Sequence, residues 1–77
     1  AAKPNFPKIN KEKTGKNIKF LCQKRGLTVY DLQHILYIGS NQAIYHWFNG
    51  RSIPSTETLL ALSILLNVSI NDILVYE

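Results

Sequence analysis

Cysteine is nearly absent from this chain; Cys22 stands alone. No internal disulfide can form, and a lone thiol fits a reducing compartment. Apolar runs are only a few residues long, far short of the roughly 20 that span a bilayer. The start carries no signal-peptide pattern. These absences together lead to the expectation of a soluble, cytoplasmic protein. Strand-type alternation, internal repeats and a linker-like stretch are also missing, so the 77 residues read as one all-α domain. A chain this short buries a modest fraction of its surface and needs efficient packing or a partner. No Gly-rich loop is available to cradle a phosphate. Cations are scarce after residue 25, where Arg51 is the only one.

What the second part lacks, the first part has. Residues 1–26 hold eight lysines and arginines against Glu12 alone, a net +7. Residues 27–77 hold Arg51 against Asp31, Glu57, Asp72 and Glu77, a net −3. A basic front end suits a polyanionic partner, nucleic acid first and an acidic membrane surface second. A merely solubilising surface is the plainer explanation. The membrane alternative ranks low, because no basic amphipathic helix with exposed large apolar residues accompanies the lysines.

The pattern of apolar residues predicts five helices. Residues 1–10, with two prolines, read as an extended basic arm, and residues 11–77 as the domain. The first helix runs from about Lys11 to Arg25 and ends at Gly26, with Ile18, Leu21 and Cys22 as its inner stripe. Gly15 weakens that helix, which a close approach to another backbone would explain. Thr28 and Asp31 form a capping-box-like pair opening a second helix, Val29 to about Tyr37, that buries Leu32, Ile35 and Leu36. Gly39-Ser40 breaks it. The third helix covers about Asn41 to Phe48 and stops at Asn49-Gly50. Ser55 caps a fourth, Thr56 to about Leu66, with Leu59, Leu62 and Leu66 along one face. Ser69 and Asp72 repeat the capping-box spacing and open a short fifth helix through about Leu74. The carboxylates Asp31, Glu57 and Asp72 are accounted for by helix N-termini.

The stretch SNQAIYHWFNG (40–50) carries no formal charge. On a helix at about 100° per residue, Ala43, Ile44, Trp47 and Phe48 form one broad apolar face. Gln42, Tyr45, His46 and Asn49 follow i, i+3, i+4, i+7 on the other side, with Asn41 beside them. One surface packs; the other is a strip of uncharged hydrogen-bonding groups. Gln and Asn offer the paired donor and acceptor that match adenine in the major groove, and His and Tyr can donate or accept. Phosphate contact favours Lys and Arg, but base reading does not require them. An ordinary polar outer face is the bland alternative.

Two short helices joined by a turn containing Gly39 are a helix-turn-helix layout. With IKFLCQKRGLT (18–28), AIYHWFNG (43–50), Pro54-Ser55 and LLALSILLNVSINDIL (59–74) in this order, the chain resembles the Cro and phage-repressor type of helix-turn-helix regulators, the XRE-like family. The resemblance runs from Gly15 to about Val75. It implies a compact five-helix fold of the lambda-repressor-like kind and sequence-specific binding of double-stranded DNA as a transcriptional regulator, repressor-like, with the third helix in the major groove. It also implies a homodimer on paired half-sites. Carried over, Asn41, Gln42, Tyr45 and His46 take the base-facing positions. Thr28 takes a phosphate-contact position, and Asn49, Arg51 and Ser52 take the loop that meets the sugar-phosphate backbone. Three departures stand out. Val29 replaces a frequent Gln, and the turn YIGS is one residue longer than the commonest pattern. Many relatives also pair an Arg late in the first helix with a Glu after the Trp; here those positions are Cys22 and Phe48. An ion pair replaced on both sides by apolar groups keeps its packing, so Cys22 and Phe48 are expected to touch.

No catalytic residue, metal site or cofactor is expected. His34, His46 and Cys22 fall on three different helices, while zinc needs three or four convergent ligands. A thiol on an inner stripe is a small core residue rather than a nucleophile. The competing function is a protein-interaction module, such as an antitoxin-like domain that binds a partner protein. The leucine-rich fourth helix exceeds what one core face absorbs, and the fourth-to-fifth helix region with the tail is the expected dimer surface, any exposed patch there marking a partner.

Overall fold

The computed structural model describes residues 6–77. Five helices follow in order: α1 (Lys11–Lys24), α2 (Val29–Ile35), α3 (Gln42–Phe48), α4 (Thr56–Leu66) and α5 (Ile70–Ile73). The fold is all-α and lambda-repressor-like, with α1 packed on α3 and α5, α2 on α3, and α4 on α5. Their shared core is Ile18 and Cys22 from α1, Leu32 from α2, Ile44 and Trp47 from α3, Leu59, Leu62 and Leu66 from α4, and Ile73 from α5. Every helix thus contributes, which a chain this short requires.

Local chemistry sets the boundaries. Asn10, Thr28, Ser55 and Ser69 each accept a hydrogen bond from the backbone N–H three residues on, at Lys13, Asp31, Thr58 and Asp72. Thr28 and Ser69 form full capping boxes with Asp31 and Asp72. Gly26 lies in the left-handed region after α1 (φ 71°), where only glycine avoids a Cβ penalty.

Two expectations about α2 need correction. The helix ends at Ile35, and Tyr37 adopts a left-handed φ of 54° instead of continuing it. Ile35, expected inside, is 47% exposed. The reason is the direction of the inner stripe. Val29 and Leu36 both lie on the same side of Leu32 on the helical wheel, and both are packed against the core. Ile35 lies about 60° to the other side. Leu21 and Leu36 are half-buried at the core's margin rather than at its centre.

Gly15 and α3 explain each other. A Cβ at Gly15 would collide with the carbonyl oxygen of Trp47 and lie 3.0 Å from its carbonyl carbon and 3.1 Å from Phe48 O. The α1 and α3 backbones therefore meet without an intervening side chain. Gly50, just after α3, makes the reciprocal approach to Glu12 Cα.

The short α5 is completed by α1. Asn17 Nδ2 donates to the carbonyls of Asp72 (2.7 Å) and Ile73 (3.0 Å). The fully buried Thr14 donates its hydroxyl to Val75 O (3.2 Å) and accepts from Val75 N (2.9 Å). Beyond Val75 the tail runs antiparallel to the segment entering α1. Asn10 N donates to Val75 O (2.8 Å), and Lys8 and Glu77 exchange backbone bonds at 3.0 and 2.9 Å. Of the expected arm, Phe6 to Asn10 is thus extended and joined to the tail from Lys8 onward; residues 1–5 lie outside the described residues. Arg25 donates to Leu66 O (2.9 Å) and ties the end of α1 to the end of α4. On α4, Leu60 and Ile64 remain exposed, the surplus anticipated from its leucine content.

Candidate nucleic-acid interface

The turn from Leu36 to Asn41 sets the attitude of α3. Tyr37 turns the chain left-handed, Ile38 N closes onto Gln33 O (3.0 Å), and Ser40 Oγ accepts from Gln42 N (3.1 Å). Ser40 therefore supplies the cap, and Asn41, although at the N-cap position, makes no side-chain capping bond. Within α3, Ile44 and Trp47 are buried, anchoring one face, and Ala43 and Phe48 are half-buried beside them. Asn41, Gln42, Tyr45 and His46 are exposed, as is Asn49 after the helix. Among the described residues, none of these five side chains makes a hydrogen bond within the chain. An exposed row of amide, phenol and imidazole groups is left available to an outside partner.

The loop after α3 folds back on the helix end. Arg51 N donates to His46 O (2.9 Å) and Ser52 N to the same oxygen (3.4 Å). Arg51 is exposed and Ser52 half-buried, and their backbone bonds to His46 O hold both at the end of α3. Thr28 stands at the start of α2, where its full capping box with Asp31 occupies that helix end. Thr28 N–H is bound by Asp31 Oδ2 (2.9 Å), and Asp31 N–H by Thr28 Oγ1 (3.1 Å). The Thr28 backbone N–H, then its hydroxyl, hold the Asp31 carboxyl below the usual carboxylate range. At neutral pH that helix end carries a fixed negative charge. Both the N–H and the hydroxyl of Thr28 are thus engaged with Asp31 inside the capping box.

A cation missed in the sequence stands close by. Lys19 of α1 lines a cleft of about 290 Å³ together with Thr28, Tyr45 and Asn49, three of the expected contact residues. Lys19 precedes Cys22 by one helical turn, so the position that points α1 at Phe48 also points Lys19 at the end of α3. That spacing was the available signal. Cys22 and Phe48 themselves line the same cleft, with Leu27 and Val29. The two positions at which the resemblance implies an ion pair thus hold a thiol and a phenyl ring on one cleft wall. Burial pushes the Cys22 thiol up to about 11, so it is a neutral wall group.

Other candidate groups lie apart. His34 Nδ1 is 3.0 Å from Tyr30 O, and its ring rests 4.2 Å from that of Tyr30 on the outside of α2. His46 is on α3. No helix of the described residues is long and apolar enough to cross a membrane.

No curated protein matches the chain. A family model described as helix-turn-helix matches residues 18–73, which takes in α2, the turn and α3 together with most of the supporting core. That span covers well over half of the chain, and with the five-helix architecture it leads to one conclusion: the chain belongs to the helix-turn-helix family of the Cro and phage-repressor type, a family of DNA-binding transcription regulators.

Proposed function

We propose that this chain is a sequence-specific double-stranded DNA-binding transcriptional regulator that acts repressor-like, by occupying its site, with α3 lying in the major groove. The single observation that carries the reading is the exposed row Asn41, Gln42, Tyr45 and His46, whose hydrogen-bonding groups are unengaged within the chain and stand on a helix anchored by Ile44 and Trp47. Gln42 and Asn41 suit adenine edges, and Tyr45 and His46 suit either donor or acceptor edges. Asn49, Arg51, Ser52 and Thr28 would meet the sugar-phosphate backbone and fix register. Lys19 joins them as a phosphate partner. The lysines of α1 supply the long-range attraction that the charge-poor α3 cannot.

The test is selection from a randomised duplex library at about physiological salt, where specific and non-specific binding separate. A DNA reader enriches a motif, and a homodimer enriches an inverted repeat. Gln42→Ala should then cost about 1–3 kcal/mol on the selected site and relax preference at one position. Equal losses on selected and random DNA would remove α3 from base reading. Retention that is only salt-sensitive, with no motif, would favour a protein partner at the exposed Leu60 and Ile64 of α4.

A further inference from the structure

The recess between α1, the start of α2 and the end of α3 has a composition that DNA binding does not explain. Its lining is Cys22, Leu27, Val29 and Phe48, with Lys19, Gln23, Thr28, Tyr45 and Asn49 as polar neighbours. DNA backbone would use the polar members and would leave the apolar ones untouched. At about 290 Å³ it lies at the small end of ligand clefts. Charge narrows the occupant further. Lys19 is the single formally charged residue of the lining, no carboxylate belongs to it, and among the described residues Lys19 has no ion-pair partner. The neutral thiol of Cys22 offers polarizable surface rather than a nucleophile. Phe48 and Tyr45 offer aromatic surface for stacking or edge contact.

We propose that this recess binds a small flat aromatic molecule carrying one carboxylate, its ring system against Phe48, Leu27 and Val29 and its carboxylate on Lys19. The competitive consequence rests on the DNA-binding function proposed above. Thr28, Tyr45 and Asn49 border the recess and are also placed at the DNA, so ligand and duplex contend for the same side chains and for the Lys19 ammonium. Such a ligand releases DNA by direct exclusion, with no change of fold.

The probe is 1-naphthoate, with neutral 1-naphthalenemethanol as its uncharged counterpart, titrated into the isotopically labelled protein without DNA. Support is a saturable set of amide shifts confined to Lys19–Gln23, Leu27–Val29 and Tyr45–Asn49, with half-saturation below about 1 mM. Lys19→Ala should weaken naphthoate about three- to tenfold and leave the alcohol unchanged, the loss of one charge-assisted contact at a partly exposed site. Gln23→Trp, an exposed position that fills the mouth, should block both while the melting temperature stays level. The inference is overturned by shifts that fail to saturate, that spread over all lysines, or that are indifferent to Gln23→Trp. Equal binding of the alcohol and insensitivity to Lys19→Ala overturn the assignment of the carboxylate.

A second titration adds naphthoate to the protein bound to a fluorescent mixed-sequence duplex at low salt, and release is expected. Cleft binding without release would keep the ligand site and overturn the shared use of Thr28, Tyr45 and Asn49. DNA binding with no naphthoate binding would remove the ligand site and leave the DNA function intact.

Discussion

Replacing Gly15 with alanine sets two effects of opposite sign against each other, and the structure decides which wins. Alanine in a helix interior is favoured over glycine by about 1 kcal/mol. On an exposed face of α1, Gly15→Ala would therefore stabilise. Gly15 is buried, and its new Cβ would collide with the Trp47 carbonyl oxygen and crowd Phe48 O. These obstacles are backbone atoms within a helix, which cannot swing aside as a side chain can. The two helices must part instead. A radial gap of ~0.5–1 Å already forfeits a quarter to a half of each dispersion contact, and Ile18, Cys22, Ile44 and Trp47 all lie in the core these helices share. Overpacking of this kind costs about 1–3 kcal/mol, occasionally more, and a backbone obstacle belongs at the upper end. After the propensity gain is subtracted, a net loss of about 2 kcal/mol remains. For a domain of this size that lowers the melting temperature by roughly 8–16 °C. Circular-dichroism melts of wild type, Gly15→Ala and Gly39→Ala measure it. Gly39 is the control, since its added Cβ meets nothing within 4 Å. A Gly15→Ala protein that melts at or above the wild-type temperature would refute the reasoning, because α1 and α3 could then separate freely.

Further outcomes follow from individual side chains. Arg51→Ala and Lys19→Ala should each weaken selected and random duplexes alike and flatten the salt slope by about one unit, read from binding isotherms across a salt series. Thr14→Val keeps the shape of a fully buried residue but strands Val75 N, while Val75 O keeps its bond from Asn10 N; urea titration should show a loss of about 1–3 kcal/mol. Asp31→Ala should lower the melting temperature at neutral pH. The folded carboxyl is held below its ordinary value of 3.8, so its contribution is present above that pH and is lost as the pH falls through the lowered folded value. Wild-type and variant melts should therefore converge only under strongly acid conditions, and a difference that persists unchanged there would assign the effect to packing instead.

How much could be read in the sequence depended on whether the signal was local. Thr28, Ser55 and Ser69 announced their helices because a cap and its acceptor lie three residues apart, and α4 kept the bounds its leucines implied. Gly15 was legible as an anomaly, though only the structure identifies Trp47 and Phe48 as the reason. Ile35 was misread because i, i+3 spacing does not say to which side of Leu32 the core lies; Val29 decides it. Asn17 and Thr14 were invisible as structural residues, since their partners are 55 to 61 positions away. The polar row on α3 was legible from its period. Lys19 was legible only through its spacing, one turn before Cys22, which gains meaning once α1 is placed across the end of α3. The internal engagement of Thr28 was half-legible: the capping box predicts it, yet the resemblance alone had directed that residue outward.

The pairing of Lys8–Asn10 with Val75–Glu77 makes the two margins of the domain a single cooperative piece. Closing a loop of nearly 70 residues costs chain entropy that grows only logarithmically with length, but it can be recovered only after the helices between have assembled. The ladder is therefore a late element of folding and an early one to fray. Neither margin frays alone: releasing Glu77 frees Lys8, and releasing Val75 takes both Asn10 and the buried Thr14 hydroxyl with it. Strain applied at one margin is felt at the other and, through Thr14, one residue away from the glycine on which α3 rests.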